Sequence, residues 1–428
     1  MHPIPTALMT DHYELTMLTA ARSSGAASRR CVFEVFARSL PPGRRYGVVA
    51  GHGRLLDALE AFRFHDEDLR WLLQKEIVDA ATASWLETWR FGGDVWGYRE
   101  GEPYFPGSPV VTIEGTFADT VILETLVLSI LNHDSAIASA AARMVSAARG
   151  RPLMEFGSRR THEQAAVAAA RAAWIAGFEA TSNLAAGRIH GLPTAGTSAH
   201  AFTLVHDDEP AAFEAQVATL GKATTLLIDT FDERAAVEQG ITAAGTELGA
   251  VRIDSGDLAT VARGVRAQLD RLGATGTKIF ASSDLDEYVL AELADAPIDA
   301  YGLGTRLATG SGAPTASLVY KLVAREGRNG QLVPVAKSAH EKSTVGGRKH
   351  AARHSRRGVA RAERLSVRQQ PRGRKLQVPY VTDGEILPQP SLAAARDHHR
   401  EAMAELPPEA LLLEPGDPVI PTIIEGRR

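Results

Sequence analysis

The chain has one cysteine in 428 residues, so no internal disulfide can form. That points to a reducing compartment, expected here to be the cytoplasm. Cys31 sits inside the apolar run Cys31-Val32-Phe33-Glu34-Val35-Phe36, where a thiol reads as a small buried hydrophobe rather than a nucleophile. No apolar run approaches the roughly 18 residues that a membrane helix needs, and the N-terminal stretch lacks a basic region followed by an apolar one. Neither a membrane span nor a secretory leader is therefore expected. A net charge of only −4 gives no global case for nucleic acid or an anionic membrane as partner. Nucleotide-binding signatures are missing too: there is no Walker A sequence and no dinucleotide fingerprint with a downstream acid. His200 has no metal partner at helical or hairpin spacing, and no repeat of solenoid period is present.

What the chain does have is apolar residues, at 44%, enough for a substantial core. Its texture changes twice. Up to about residue 117, short strand-like pieces (31–36, 108–117) alternate with turns such as Pro41-Pro42-Gly43 and a helical stretch over 53–75. From 118 to 325, Ala-rich helices alternate with short apolar strands at 153–156, 177–180, 224–228, 249–253, 278–281 and 300–303. Such alternation means parallel strands covered by helices, and six or more units favour a closed barrel over an open sheet. Beyond 326, short strands return. Segment 348–375 then carries eleven Lys or Arg against the single acid Glu363. It reads as a solvated loop, since no aromatic residues interleave with its cations as nucleic-acid binding would want. The expected organisation is an outer α+β domain of 1–117 with 326–428, and an α/β barrel domain of 118–325.

In parallel α/β folds, chemistry collects where strands end. Counting the segment Gly191-Leu192-Pro193 beside the six strands, seven consecutive strand ends carry small, hydroxylated or charged residues: Gly157-Ser158-Arg159-Arg160, Thr181-Ser182-Asn183, Gly196-Thr197-Ser198-Ala199-His200, Asp229-Thr230, Arg252-Ile253-Asp254-Ser255-Gly256-Asp257, Ser282-Ser283-Asp284 and Gly304-Thr305. Each alone could be helix capping; their coincidence marks a site. Gly304-Thr305 and Ser282-Ser283 offer amides and hydroxyls that suit a phosphate monoester. Strand alternation sends Arg252 and Asp254 to one side, able to hold an anionic group and a ribose diol, or else to form a structural ion pair. Asp254 and Asp257 could hold Mg²⁺, directly or through water. His200, alone at a strand end, is a candidate nucleophile or general base. A phosphorylated sugar is the substrate class this rim fits.

With these pieces in this order, and with Thr10-Asp11-His12-Tyr13-Glu14-Leu15-Thr16-Met17, Glu155-Phe156-Gly157-Ser158-Arg159-Arg160 and Tyr301-Gly302-Leu303-Gly304-Thr305, the chain resembles the nicotinate phosphoribosyltransferases, type II phosphoribosyltransferases. The resemblance runs to about Lys349. It implies an irregular α/β barrel with an open-faced α+β sandwich formed by the two terminal segments. It also implies conversion of nicotinate and phosphoribosyl pyrophosphate, with Mg²⁺, to nicotinate mononucleotide and pyrophosphate. ATP hydrolysis would be coupled to that step through a phosphohistidine. His200 matches the phosphorylated histidine and Asp229 the acid that orients it. Phe156, with Tyr13 from a second subunit of a homodimer, matches the aromatics that sandwich the pyridine ring. Arg159 and Arg252 match cations near the ring carboxylate and the phosphates, and Asp254 a ribose-binding carboxylate. Ser282, Ser283, Gly304 and Thr305 match the 5′-phosphate loops.

Ser182 stands where nicotinamide-using relatives carry an acid. A carboxylate there would repel nicotinate, whereas a hydroxyl can donate to it. The family's Ser-Glu-Gly-Lys segment appears here as Lys337-Ser338-Ala339-His340-Glu341-Lys342, and neither lysine receives a role. Rival readings are transfer to nicotinamide or quinolinate, or a non-catalytic phosphosugar-binding protein on the same fold.

Overall fold

The computed structural model describes residues 6–337 and 345–425; the segment Ser338-Ala339-His340-Glu341-Lys342 lies outside them. The chain forms two compact units, Met1–Ser139 with Ala313–Arg428, and Ala140–Gly312. The boundaries fall at 139/140 and 312/313, where the sequence suggested 117/118 and 325/326. At the first boundary the reason is packing. Helix Glu124–Ala147 begins by burying Leu126, Val127, Ile130 and Leu131 in the core of the first unit.

That first unit is built on a seven-stranded sheet ordered Leu332–Pro334, Leu318–Glu326, Arg30–Ala37, Val111–Thr116, Asp94–Tyr98, Gln377–Thr382, Glu385–Ile386. Its pairings are antiparallel, so chain segments more than 200 residues apart lie side by side, with Phe33 facing both Leu322 and Ile113. Strand Arg30–Ala37 is buried over most of its length, and Phe33 stacks on Tyr320 with ring centroids 4.7 Å apart. Cys31 is a free, buried thiol, pushed up to about 11 by burial.

The basic segment 348–375 is not a solvated loop. It folds as strands His350–Arg356, Val359–Ser366 and Arg374–Lys375 of a four-stranded sheet. Two of its cations, Lys349 and Arg353, are buried. Lys349 donates to buried Glu34 at 2.6 Å. Arg353, with no exposed side-chain surface, lies 3.1 Å from Glu363 and 3.3 Å from Glu102. Arg374 forks onto both oxygens of Glu102 at 2.8 Å each. Burial alone would raise the Glu102 carboxyl, but Arg374, His398 and Arg353 together hold it down at about 2. Periodicity could not reveal this, because a cation's partner is set by tertiary pairing and not by sequence spacing.

The second unit carries a six-stranded parallel sheet ordered Ala180–Thr181, Leu153–Glu155, Ala300–Leu303, Lys278–Ser283, Ala250–Ile253, Thr225–Leu227. Five of the six expected strands are in place, and the one expected over 177–180 forms at Ala180–Thr181 instead, sharing only Ala180. Residues 193–195 add a parallel bridge to Thr181, but no hydrogen bonds carry the sheet round from there to Thr225–Leu227 among the described residues, so it is a curled parallel sheet and not a ring closed by hydrogen bonds. Leu226, Val251, Ile253, Ile279 and Leu303 are fully or almost fully buried, the pattern of parallel strands covered by helices. The helices start where side chains cap them. Asn183, Asp208, Asp232, Asp257 and Asp286 each accept from a backbone amide in the first turn of the helix that follows. No helix among the described residues is long and apolar enough to cross a membrane.

Replacing Arg353 with Ala leaves Glu363 and Glu102 buried with less counter-charge, and chemical denaturation should show a loss of about 3–5 kcal/mol. Lys222→Ala, which breaks an exposed pair with Glu247, should change stability by less than about 1 kcal/mol. Equal effects would mean that the interior network is not what holds the C-terminal strands.

Candidate active site

The register of the parallel sheet builds one polar row. Phe280 pairs with Arg252 and with Ala300, and Ser282 with Gly302. Residues two further along each strand share a face, so Asp254, Ser282 and Gly302 lie abreast at the carboxyl ends of three neighbouring strands. The side chains confirm it. Ser282 Oγ donates to Asp254 Oδ1 at 2.5 Å, and Arg252 Nη2 donates to the same oxygen at 3.0 Å. Arg252 also donates from Nε to Ser282 Oγ at 2.8 Å and from Nη1 to Thr197 Oγ1 at 3.1 Å. Its guanidinium carbon sits 5.6 Å from the centre of the Phe156 ring. Position 302 is glycine for a steric reason: a Cβ there would lie 2.7 Å from two carbons of the Phe156 ring.

These groups line a cavity of about 810 Å³. Phe156, Arg159, Ser182, Arg252, Asp254, Ser282, Ser283, Gly304 and Thr305, all named from the sequence, are in its wall, together with Arg160, Ser158, Asp284 and the turn Gly196-Thr197-Ser198-Ala199. The turn ends at His200, whose Nε2 donates to Asp229 Oδ1 at 3.2 Å. Asp229 is almost wholly buried, and its Oδ2 accepts the Asp254 amide at 3.0 Å and the Ser255 hydroxyl at 2.6 Å. One carboxylate thus links the imidazole to the Arg252–Asp254 strand end. With Nε2–H facing a carboxylate that can only accept, Nδ1 keeps the free lone pair.

Two residues named from the sequence stand apart. Asp257 does not line the cavity; it caps helix Leu258–Arg271, with Oδ1 on the Thr260 amide at 3.2 Å and Oδ2 on the Thr260 hydroxyl at 2.9 Å. Those hydrogen bonds hold its carboxyl below the usual range. Tyr13 lies in the other unit on helix His12–Ser24, with 46% of its surface exposed. Its phenol is held protonated by partial burial and by Glu124 and Glu14. No group of three or more metal-ligating side chains occurs among the described residues. Thr197, Ser255 and Glu155 received no role from the sequence, because hydroxyls and buried carboxyls carry no spacing signal.

A parallel sheet with a cation-lined cavity at the carboxyl ends of its strands, bordered by a histidine–aspartate pair, defines the class: an α/β enzyme built to receive an anionic substrate beside an aromatic ring. Comparison with known proteins narrows it. Residues 8–132 match the profile described as nicotinate phosphoribosyltransferase (NAPRTase) N-terminal domain. The chain is 56% identical to the nicotinate phosphoribosyltransferase pncB1 of Mycobacterium tuberculosis, over 98% of this chain and 95% of that one. It is 37% identical to the nicotinate phosphoribosyltransferase of Bacillus subtilis, over 81% of this chain and 73% of that one. Among solved structures, human nicotinic acid phosphoribosyltransferase shares the fold, with a TM-score of 0.82 at 24% identity and 98% of both chains covered. The chain belongs to the nicotinate phosphoribosyltransferase family.

One buried acid behind the pair can be tested directly. Glu209 is 5% exposed, and its Oε1 is buried with no hydrogen bond among the described residues. Burial, then Asp232 and Asp229, push its carboxyl from 4.5 up to about 7. The folded state therefore holds a proton that the unfolded state has lost between those values, and stability falls as pH rises through that window. The Tm of the wild type relative to Glu209→Gln should decline between about pH 5 and pH 7.5; parallel curves would refute the assignment.

Proposed function

We propose that the enzyme transfers the phosphoribosyl group of phosphoribosyl pyrophosphate to the ring nitrogen of nicotinate, giving nicotinate mononucleotide and pyrophosphate, the first step of NAD salvage from nicotinate. The observation that carries this reading is the row Asp254–Ser282–Gly302, with the Phe156 ring laid over Gly302 and Arg252 beside it. A flat ring stacked on Phe156 faces a carboxylate suited to a ribose diol. The hydroxyls and amides of Ser282, Ser283, Gly304 and Thr305 suit a 5′-phosphate. Arg159 and Arg252 supply positive charge for the ring carboxylate and the phosphates. The new C1′–N bond forms as the C1′–O bond to pyrophosphate breaks, through a ribosyl cation, so positioning and charge stabilisation carry the rate.

His200 is the group through which ATP is coupled in this reading. Its Nδ1 lone pair attacks the terminal phosphorus of ATP, the bond to the ADP oxygen breaks, and ADP leaves, with Asp229 steadying the imidazolium through Nε2–H. The phosphorylated imidazole then adds negative charge beside the pyrophosphate site. Magnesium fits Asp254, whose Oδ2 takes no hydrogen bond among the described residues, since this ion is held mainly by phosphates and water with only one or two carboxylates. Asp257, with both oxygens on Thr260, would reach it only through water. When bound, the ion neutralises charge on the departing pyrophosphate. The reading also includes a cytoplasmic homodimer in which Tyr13 of one subunit covers the ring pocket of the other; the exposure of Tyr13 supports this.

Incubation with ATP labelled at the terminal phosphate should give acid-labile label that His200→Ala abolishes; label that survives the substitution would sink the histidine assignment. Ser182, exposed at the cavity wall, sets the choice of acid over amide. Ser182→Asp should raise the KM for nicotinate by at least about tenfold relative to nicotinamide, the scale of one like-charge contact. No shift in that ratio would overturn the specificity argument.

A further inference from the structure

Glu155 is a buried carboxyl that the proposed chemistry does not use. It is 1% exposed and absent from the cavity wall, yet it joins two loops that form that wall. Oε1 accepts the Gly157 amide and Oε2 accepts the Thr181 hydroxyl. Thr181 Oγ1 in turn accepts the Asn183 amide at 2.9 Å, and Asn183 Nδ2 donates to Ser158 Oγ at 3.1 Å, which closes a ring back to the first loop. The Glu155 carbonyl also accepts the Ser182 amide at 2.9 Å. Within this ring sit Phe156 and Ser158 on one loop and Ser182 on the other, and Arg159 follows directly. Space is tight as well: a Cβ on Gly157 would lie 2.8 Å from Glu155 Oε1 and 2.9 Å from the Ala308 Cβ.

We propose that Glu155 is a positioning residue for the aromatic-acid pocket, fixing the distance between the ring-stacking Phe156 and the carboxylate-facing Ser182 by holding both of their loops on one side chain. The inference rests on the proposed use of those two residues for nicotinate. An apolar residue here would fill the same volume and leave the Gly157 amide and the Thr181 hydroxyl without their acceptor. Burial raises the Glu155 carboxyl above its ordinary value, and the two donors favour its charged form, the form that accepts from both. Among the described residues, the phosphate-facing Ser282, Ser283 and Thr305 receive no hydrogen bond from this ring, so the effect is confined to the pyridine end of the site.

The test is steady-state kinetics with each substrate varied in turn. Glu155→Ala should raise the KM for nicotinate about tenfold or more, while the KM for phosphoribosyl pyrophosphate stays within about twofold, the scale expected when a supporting contact is lost. ATP-dependent labelling of His200 should be unchanged. Glu155→Gln can still accept from Gly157 and meet Thr181 with an N–H, so it should recover most of the nicotinate affinity. Equal rises in both KM values, or no rise for nicotinate, would overturn the proposal. If Glu155→Ala does not fold, Thr181→Val, which removes one hydroxyl at constant shape, should still raise the nicotinate KM selectively; an unchanged value overturns it. Absence of any nicotinate-dependent consumption of phosphoribosyl pyrophosphate by the wild type would instead refute the function on which it rests.

Discussion

A carboxylate removed from water must be given donors, and Asp229 is given three: the imidazole of His200 on one oxygen, the Asp254 amide and the Ser255 hydroxyl on the other. That single requirement ties the orientation of the histidine to the backbone position of the strand end 252–255. Once Asp254 is placed, Ser282 and Arg252 are bound to its Oδ1, and Arg252 reaches the Phe156 ring from there. The ring lies flat because Gly302 leaves it room. The site is therefore a chain of dependencies that starts at one buried oxygen pair, and small errors anywhere in it propagate to the ring pocket.

The same logic separates acids that look alike in sequence. Asp229, Asp232, Asp254 and Asp257 all follow strands, and any of them could have been a cap or a functional group. Asp232 and Asp257 accept from the third residue of the helix that follows and are caps. Asp229 and Asp254 accept from groups on other strand ends and shape the site. What distinguishes the pairs is the partner's place in the sheet, which sequence spacing does not encode. The basic segment teaches a similar lesson. Its cations suggested exposure, but Lys349 finds its acid 315 positions upstream at Glu34, and Arg353 lies between Glu363 on the neighbouring strand and Glu102 from a distant segment.

Much of the parallel unit could be read without coordinates. Its six strands are short and mostly apolar, five of its helices follow an Asn or Asp cap, and its polar residues gather where strands stop; each of these signals is local. Six of the seven strand ends named on that basis contribute to one cavity, and Phe156, named by resemblance, joins them. The closure of the sheet could not be read, because whether two edge strands meet depends on accumulated curl and not on any one strand's composition. Tyr13 was named only by resemblance, since nothing in a helix of ordinary amphipathic pattern marks an exposed aromatic as functional.

The sequence by itself determined the class of the fold, the order of its elements and the rim on which chemistry would collect, because apolar periodicity and strand-end chemistry act over a few residues. Tertiary structure alone decided which acids serve as caps, which oxygen of Asp229 holds His200, and that Glu155 joins two loops from beneath. Those outcomes are set by register between strands and by burial, where a polar group is stable only if a distant segment brings it a partner.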